Sequence, residues 1–332
     1  MKTIKNLAML AVAALTAASC SHDENIVAPA DHFPADGIIR VATDVTRPQT
    51  RAGMETANLQ AFRLRVENTA NANYCYNALM KLENGEWVSY DNAGTDKLKM
   101  LWQNKTQKVN VAAVCIPSDI TLLDENWLAT GSIVPVNIKV EADQSNADRL
   151  NKSDLLAMKN HEVDPANDLT PQGKMKVELK HRLAKLNLTV QLGTQFNLNG
   201  AGTAANPITA VSVEGTKTEA TWKLIEDAMT EQGSATPVKP LTGIYTPGQG
   251  ETKSAVAKYE CILVPQTIGA NGFQVKIAIA GKTYTWKSLA EVNLASDKQY
   301  ELTLTVGKDV VIVGGFSATP WTEGGTENIE TE

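Results

Sequence analysis

The stretch VELKHRLAKLNLTV, residues 177–190, decides the fold. Val177, Leu179 and Leu183 have odd parity, whereas Leu186, Leu188, Val190 and Leu192 have even parity. Alternation with period two is the mark of a strand with one buried face. A parity change inside such a run would turn the second set of side chains outward, because a one-residue slip flips every one of them. A β-bulge or a sharp bend at residues 183–185 reconciles the two halves.

Working outward, the same period recurs. Phe62, Leu64 and Val66 alternate with Arg63 and Arg65. Residues 74–82 and the segment from Trp87 flank Asn84-Gly85, the dipeptide of a two-residue hairpin turn. Val134, Val136, Ile138 and Val140 share one face with Pro135 on the other, which predicts an edge strand, since proline brings no N–H to a ladder. Phe273, Val275, Ile277 and Ile279 run into Gly281-Lys282, Tyr284 and Trp286 return, and Tyr300, Leu302, Leu304 and Val306 alternate again. Helical patterning is scarce, with only residues 123–128 and 224–229 suggesting short turns. The chain is therefore expected to be all-β, of sandwich type. A domain boundary is expected at residues 164–173, where Asp, Asn, Pro and Gly concentrate.

The N-terminus carries an address. Lys2 and Lys5 precede an apolar run at residues 7–18, which ends in Ala17-Ala18-Ser19-Cys20. Small residues closing on a cysteine read as a secretory signal with a lipobox, and the run is shorter than the ~20 residues a membrane span needs. Cys20 is the expected site of lipidation, and several acyl chains on one residue would anchor firmly. The polar, acidic run Ser21-His22-Asp23-Glu24-Asn25 behind it resembles the surface-export signal of Bacteroidetes lipoproteins.

Charge narrows the partners. The formal net charge is −6, and residues 1–51 hold five basic and five acidic residues, so the remainder keeps the whole imbalance. An acidic surface disfavours nucleic acid as a partner. The 281 residues from Ala52 onward suit two domains of ordinary size. Cys75, Cys115 and Cys261, an odd and widely spaced set, do not make a disulfide framework, though one bond between two of them is open outside the cytoplasm. Cys115 is in phase with Val109, Val111 and Ala113 and reads as a small core residue.

Motifs that carry chemistry are missing. The sequence has no H-E-x-x-H, G-x-S-x-G or C-x-x-C. Gly281-Lys282-Thr283 resembles the end of a phosphate-binding loop, but Lys276 stands where its first glycine belongs, between two strands. Asp143, Asp148 and Asp154 lack the spacing of a calcium loop. His181 is in phase with the buried side of its strand and reads as a hydrogen-bonded core residue. No catalytic residue, metal site or cofactor is expected.

Several pieces in order resemble the fimbrillin family of Bacteroidetes, the subunits of donor-strand pili. They are the lipobox at Cys20, TRAG at 50–53, VELKHRLAKLNLTV at 177–190, ILVPQ at 262–266, YELTLTVGKDVVIVG at 300–314 and PWTEGG at 320–325. The resemblance implies two transthyretin-like β-sandwich domains in tandem and lipoprotein export to the outer membrane. It also implies removal of a first strand by an arginine-specific protease and assembly with other pilus subunits by strand donation. The matching division is a signal peptide at 1–19, a lipidated propeptide at 20–51, and sandwich domains at 52–170 and 171–332.

The residues suit that scheme. Ile39, Val41 and Val45 alternate, so residues 37–46 can form a strand that plugs a groove. Arg40 lies inside it, Arg47 precedes Pro48, and Arg51, followed by small Ala52, is the best cleavage site. Removing the plug leaves an open edge that another chain's strand can fill. The expected donor is 309–316, where Val310, Val311, Ile312 and Val313 are apolar on both faces and are expected to lack a partner in their own chain. Truncation after Lys308 is then expected to leave a folded subunit. The alternative is a monomeric surface lipoprotein that binds glycan on exposed tryptophans, with both segments as ordinary terminal strands.

Overall fold

The computed structural model describes residues 31–45, 55–117, 136–198, 205–224, 227–321 and 327–328. Within them the alternating segments form strands and helices are short, so the all-β expectation holds. The first eight strands are β1 (Arg40–Val45), β2 (Ala61–Glu67), β3 (Tyr76–Glu83), β4 (Glu86–Tyr90), β5 (Val109–Cys115), β6 (Val136–Lys139), β7 (Leu156–Val163) and β8 (Lys174–His181). All but β6 join one seven-stranded sheet, ordered β1-β8-β7-β5-β2-β3-β4. It wraps a first core that includes Phe62, Leu64, Val111, Val177 and Leu179.

Thirteen further strands follow. They are β9 (Ala184–Leu192), β10 (Ile208–Glu214), β11 (Lys217–Lys223), β12 (Ala228–Ala235), β13 (Leu241–Thr246), β14 (Ala255–Leu263), β15 (Gln266–Ile268), β16 (Gln274–Ile279), β17 (Lys282–Lys287), β18 (Val292–Leu294), β19 (Lys298–Val306), β20 (Val311–Pro320) and β21 (Glu327–Asn328). A six-stranded sheet, β13-β14-β9-β19-β20-β21, and a three-stranded sheet, β10-β16-β17, supply a second core with Leu188, Val275, Ile277, Tyr300 and Phe316. A third cluster lies where β6 joins β11 and β12, with Val114, Leu183, Trp222, Ile262 and Trp321. From His32 onward the chain is one compact unit.

The parity change is a sharp bend between sheets. β8 buries Met175, Val177 and Leu179 toward the first core, and β9 buries Leu186, Leu188 and Val190 toward the second. Between them the Arg182 N–H bonds the Leu155 carbonyl at 2.9 Å, and Leu183 enters the third cluster. Sheet membership thus changes at residues 182–183, beyond the expected 164–173. That earlier stretch is the turn from β7 to β8, where the Asn167 and Asp168 N–H groups bond the Asp164 carbonyl at 3.0 and 2.8 Å. Turn composition does not distinguish a turn within a sheet from a boundary between sheets.

Other local readings resolve in the same way. Asn84 and Gly85 take φ of 51° and 82°, the left-handed pair that a two-residue hairpin needs. The Gly281 turn is Ala280-Gly281, at φ 49° and 80°, joining β16 to β17. β6 is an edge strand on β11. Of the helical turn expected at residues 224–229, residues 225–226 lie outside the described residues, and Met229 lies in β12 opposite Trp222. Residues 123–128 lie outside the described residues.

Candidate assembly interface

The first strand is an insert between two walls. β1 runs parallel to β8, in register from Arg40–Lys174 to Val45–Leu179. On its other side the Ile39 N–H bonds the Met100 carbonyl at 3.0 Å, and the Trp102 N–H bonds the Gly37 carbonyl at 2.8 Å. Trp87 Nε1 donates to Thr43 Oγ1 at 2.9 Å, bringing β1 against β4 at the far end of the same sheet. Ile39, Val41 and Val45 are buried in the first core. Each buried aliphatic side chain of this kind stabilises the docked strand by ~1.5–3 kcal/mol. Arg40 is engaged with Asp36, whose carboxyl is held down at about 2, first by the Arg40 hydrogen bond and then by the Ile38 N–H. The path from β1 to β2 runs through residues 46–54, which include Arg51 and Ala52; those two, like Cys20, lie outside the described residues.

The segment expected as donor has a place in its own sheet, which corrects the expectation that it lacks one. Val311, Ile312 and Val313 pair with Val306, Thr305 and Leu304 of β19. Val311 and Val313 pack against the second core, while Val310 and Ile312 are 53% and 57% exposed. The register shifts between Thr303 and Leu304, opposite Gly314. That bulge switches the inward parity, so Phe316 and Ala318 point into the core after Val311 and Val313 have done so. β21 pairs with β20 only at Ser317 and Ala318, so residues 311–316 form an outer edge among the described residues. Truncation after Lys308 would thus remove core, not a free tail.

The far end of β20 is held by a polar junction. The Trp321 indole stacks on the His181 ring, with centroids 4.1 Å apart and planes at 6°. His181 Nδ1 lies 2.9 Å from an Asp154 carboxylate oxygen, and both side chains are fully buried. Nearby, Lys185 is buried with its ammonium 3.2 Å from Glu260, and burial pulls its pKa down. His181 is therefore the hydrogen-bonded core residue its phase suggested, but its stacking on Trp321 had no local sign.

Among the described residues the three cysteines are free, with Cys75 exposed and Cys115 and Cys261 buried. Burial pushes the Cys115 thiol up to about 12 and the Cys261 thiol higher still. Trp102, Trp222, Trp286 and Trp321 are buried, so none of these four offers a flat aromatic platform to a sugar. Among the described residues no three metal-ligating side chains cluster, and no helix is long and apolar enough to cross a membrane.

The model of the fimbrillin-like family matches residues 43–321, from β1 to Trp321. The chain belongs to the fimbrillin-like family. Comparison with curated proteins gives no match. Among solved structures the fimbrillin-like chain is similar to a candidate cell adhesion protein from Bacteroides ovatus, at 15% identity and a TM-score of 0.57 over 89% of this chain and 98% of that one. It is also similar to a candidate cell adhesion protein from Bacteroides uniformis, at 18% identity and 0.53 over 87% and 100%. A third is a fimbrial protein from Bacteroides vulgatus, at 12% identity and 0.51 over 85% and 99%. At these identities the likenesses show a shared fold.

Proposed function

We propose that this fimbrillin-like chain is a subunit of an adhesive surface pilus, structural and not enzymatic, built from two sandwich domains. It is exported as a lipoprotein on Cys20 to the outer membrane, cut after Arg51 by an arginine-specific protease, and polymerised with other subunits by strand exchange. The observation that carries this reading is β1. It is an edge strand that helps close the first core, lies upstream of Arg51, and pairs with β8, while Gly37 and Ile39 just before it bond Trp102 and Met100. Cleavage leaves it held only by non-covalent contacts. A neighbour's strand can then take its place, offering alternate apolar side chains where Ile39, Val41 and Val45 sat. The exposed edge at Val310–Val313 is the donor that best matches that need, and donation requires it to peel from β19.

Two measurements test the proposal. Limited digestion of the folded chain with an arginine-specific protease, followed by N-terminal sequencing, should give a product starting at Ala52 that forms polymers. Primary cutting at Arg63 or Arg149, or a cut product that stays monomeric at high concentration, would count against it. Cys20→Ala should abolish acyl labelling and surface anchoring, and a variant that is still labelled removes the lipoprotein step.

A further inference from the structure

A second site lies away from both terminal strands. β7 and β8 pair only at Leu156–His181 and Ala157–Lys180, and then part. Over the parting opens a cleft of about 590 Å³, within the range of ligand pockets. Its lining is polar and charged, with Lys159, Asn160, Lys180, Arg182 and Asp297 among its residues.

Two of these groups have unmet hydrogen-bonding capacity. Arg182 is 7% exposed; its Nη1 donates to Asp227 at 3.2 Å and its Nη2 to the Ala157 carbonyl at 3.3 Å, yet its Nε–H has no acceptor. Asp297 Oδ1 is buried and accepts no hydrogen bond, and burial raises its pKa. Among the described residues no ion pair joins Arg182 to Asp297, or Lys180 to a carboxylate, although Lys159 is paired with Asp227 at 2.8 Å. Arg182 and Asp297, each with a buried unpartnered atom, and the exposed cation of Lys180 thus line one cleft. Leaving such groups unpaired when buried costs about 1–3 kcal/mol each.

We infer that this cleft binds an acidic sugar, a hexuronic or sialic-type residue. Its carboxylate bonds Arg182 Nε–H and Lys180, and a hydroxyl donates to Asp297 Oδ1. A simple anion would leave Asp297 unserved and opposed by like charge. A neutral sugar would leave Lys180 without a counter-charge. An added peptide strand fits less well, because the register of β7 on β5 shifts between Val111 and Ala113, and lysines stand on both parting strands. Bulges and lysines are the devices that blunt strand edges against pairing. Recognition here uses charge and hydrogen bonds and needs no tryptophan platform. The inference does not depend on cleavage or polymerisation.

The test is titration of the full-length chain with N-acetylneuraminic acid and glucuronic acid, followed by calorimetry or ligand-observed NMR, with glucose, acetate and an extended acidic peptide as controls. Saturable binding of at least one acidic sugar is expected, with the controls much weaker. Lys180→Ala and Asp297→Asn should each weaken it about tenfold, the effect of losing one charged hydrogen bond. Asn suits position 297, where φ is 60°, so an unchanged melting temperature is expected. Absence of saturation by both acidic sugars overturns the inference, as does acetate, glucose or peptide binding equally well. Wild-type affinity in both variants also overturns it.

Discussion

β1 and the first half of β20 both lie on sheet edges among the described residues, and they are held in opposite ways. β1 lies parallel on β8, buries Val41 and Val45 with Ile39 just before them, and ends just before a segment that carries arginines. β20 lies antiparallel on β19, is exposed along its first half, and is fastened along its second half by Phe316, Ala318 and Trp321. One strand can leave whole once the chain is cut. The other can free only its leading half without opening two cores, because Phe316 belongs to the second and Trp321 to the third. An exchange mechanism therefore needs an asymmetric hinge, which the bulge opposite Gly314 is placed to supply.

The largest expected effect breaks that contrast directly. Truncation after Lys308 should abolish a cooperative melting transition for the second core. Losing buried Phe316 and Trp321 costs about 3–5 kcal/mol each, close to the whole stability of a domain. A truncated chain melting within a few degrees of the intact one would show β20 to be dispensable. Trp321→Ala alone should lower unfolding free energy in urea by about 3–5 kcal/mol, since it empties a fully buried site and unstacks His181.

Ile39→Ala should cost less, about 2 kcal/mol, because an edge strand can settle over the gap. Its signature is local. Cys115 lies in the first core and Cys261 in the second, and burial keeps both thiols protonated. Loosening β1 should therefore speed alkylation of Cys115 while leaving Cys261 slow, as followed by mass spectrometry; equal acceleration of both would mean that the two cores open together. The smallest effect belongs to Ile312→Thr. At an exposed position it should shift stability by no more than about 0.5 kcal/mol. If residues 310–313 are the donor, it should nonetheless slow polymerisation of the cleaved protein, measured by light scattering.

Much of the assembly site could be read from the chain, and the reason is period two. Ile39, Val41 and Val45 announce a one-sided strand, and the arginines behind it stand in plain order. Val310–Val313 was harder. A four-residue apolar run shows no face, and the inward set changes parity at Gly314-Gly315, so its tie to Phe316 was hidden. A glycine pair inside an alternating run was the available signal for a bulge. The cleft between β7 and β8 had no signal at all, because Lys180, Arg182 and Asp297 come together only through the parting of two strands and the turn before β19.

By itself the sequence determined that this chain is all-β, where most turns fall, and that two apolar terminal segments flank the body. Those are local properties, set by alternation and by residues that tolerate left-handed backbone. Tertiary structure decided which sheet each strand joins, that the bend at residues 182–183 carries the chain from one core to another, and that β20 pairs with β19 throughout but buries its large side chain, Phe316, only in its second half. Such pairings depend on contacts between residues more than a hundred positions apart, such as Val45 with Leu179 across β1 and β8, and Leu183 with Trp321 in the third cluster. No local pattern encodes them, because the hydrophobic effect rewards burial without specifying against which neighbour.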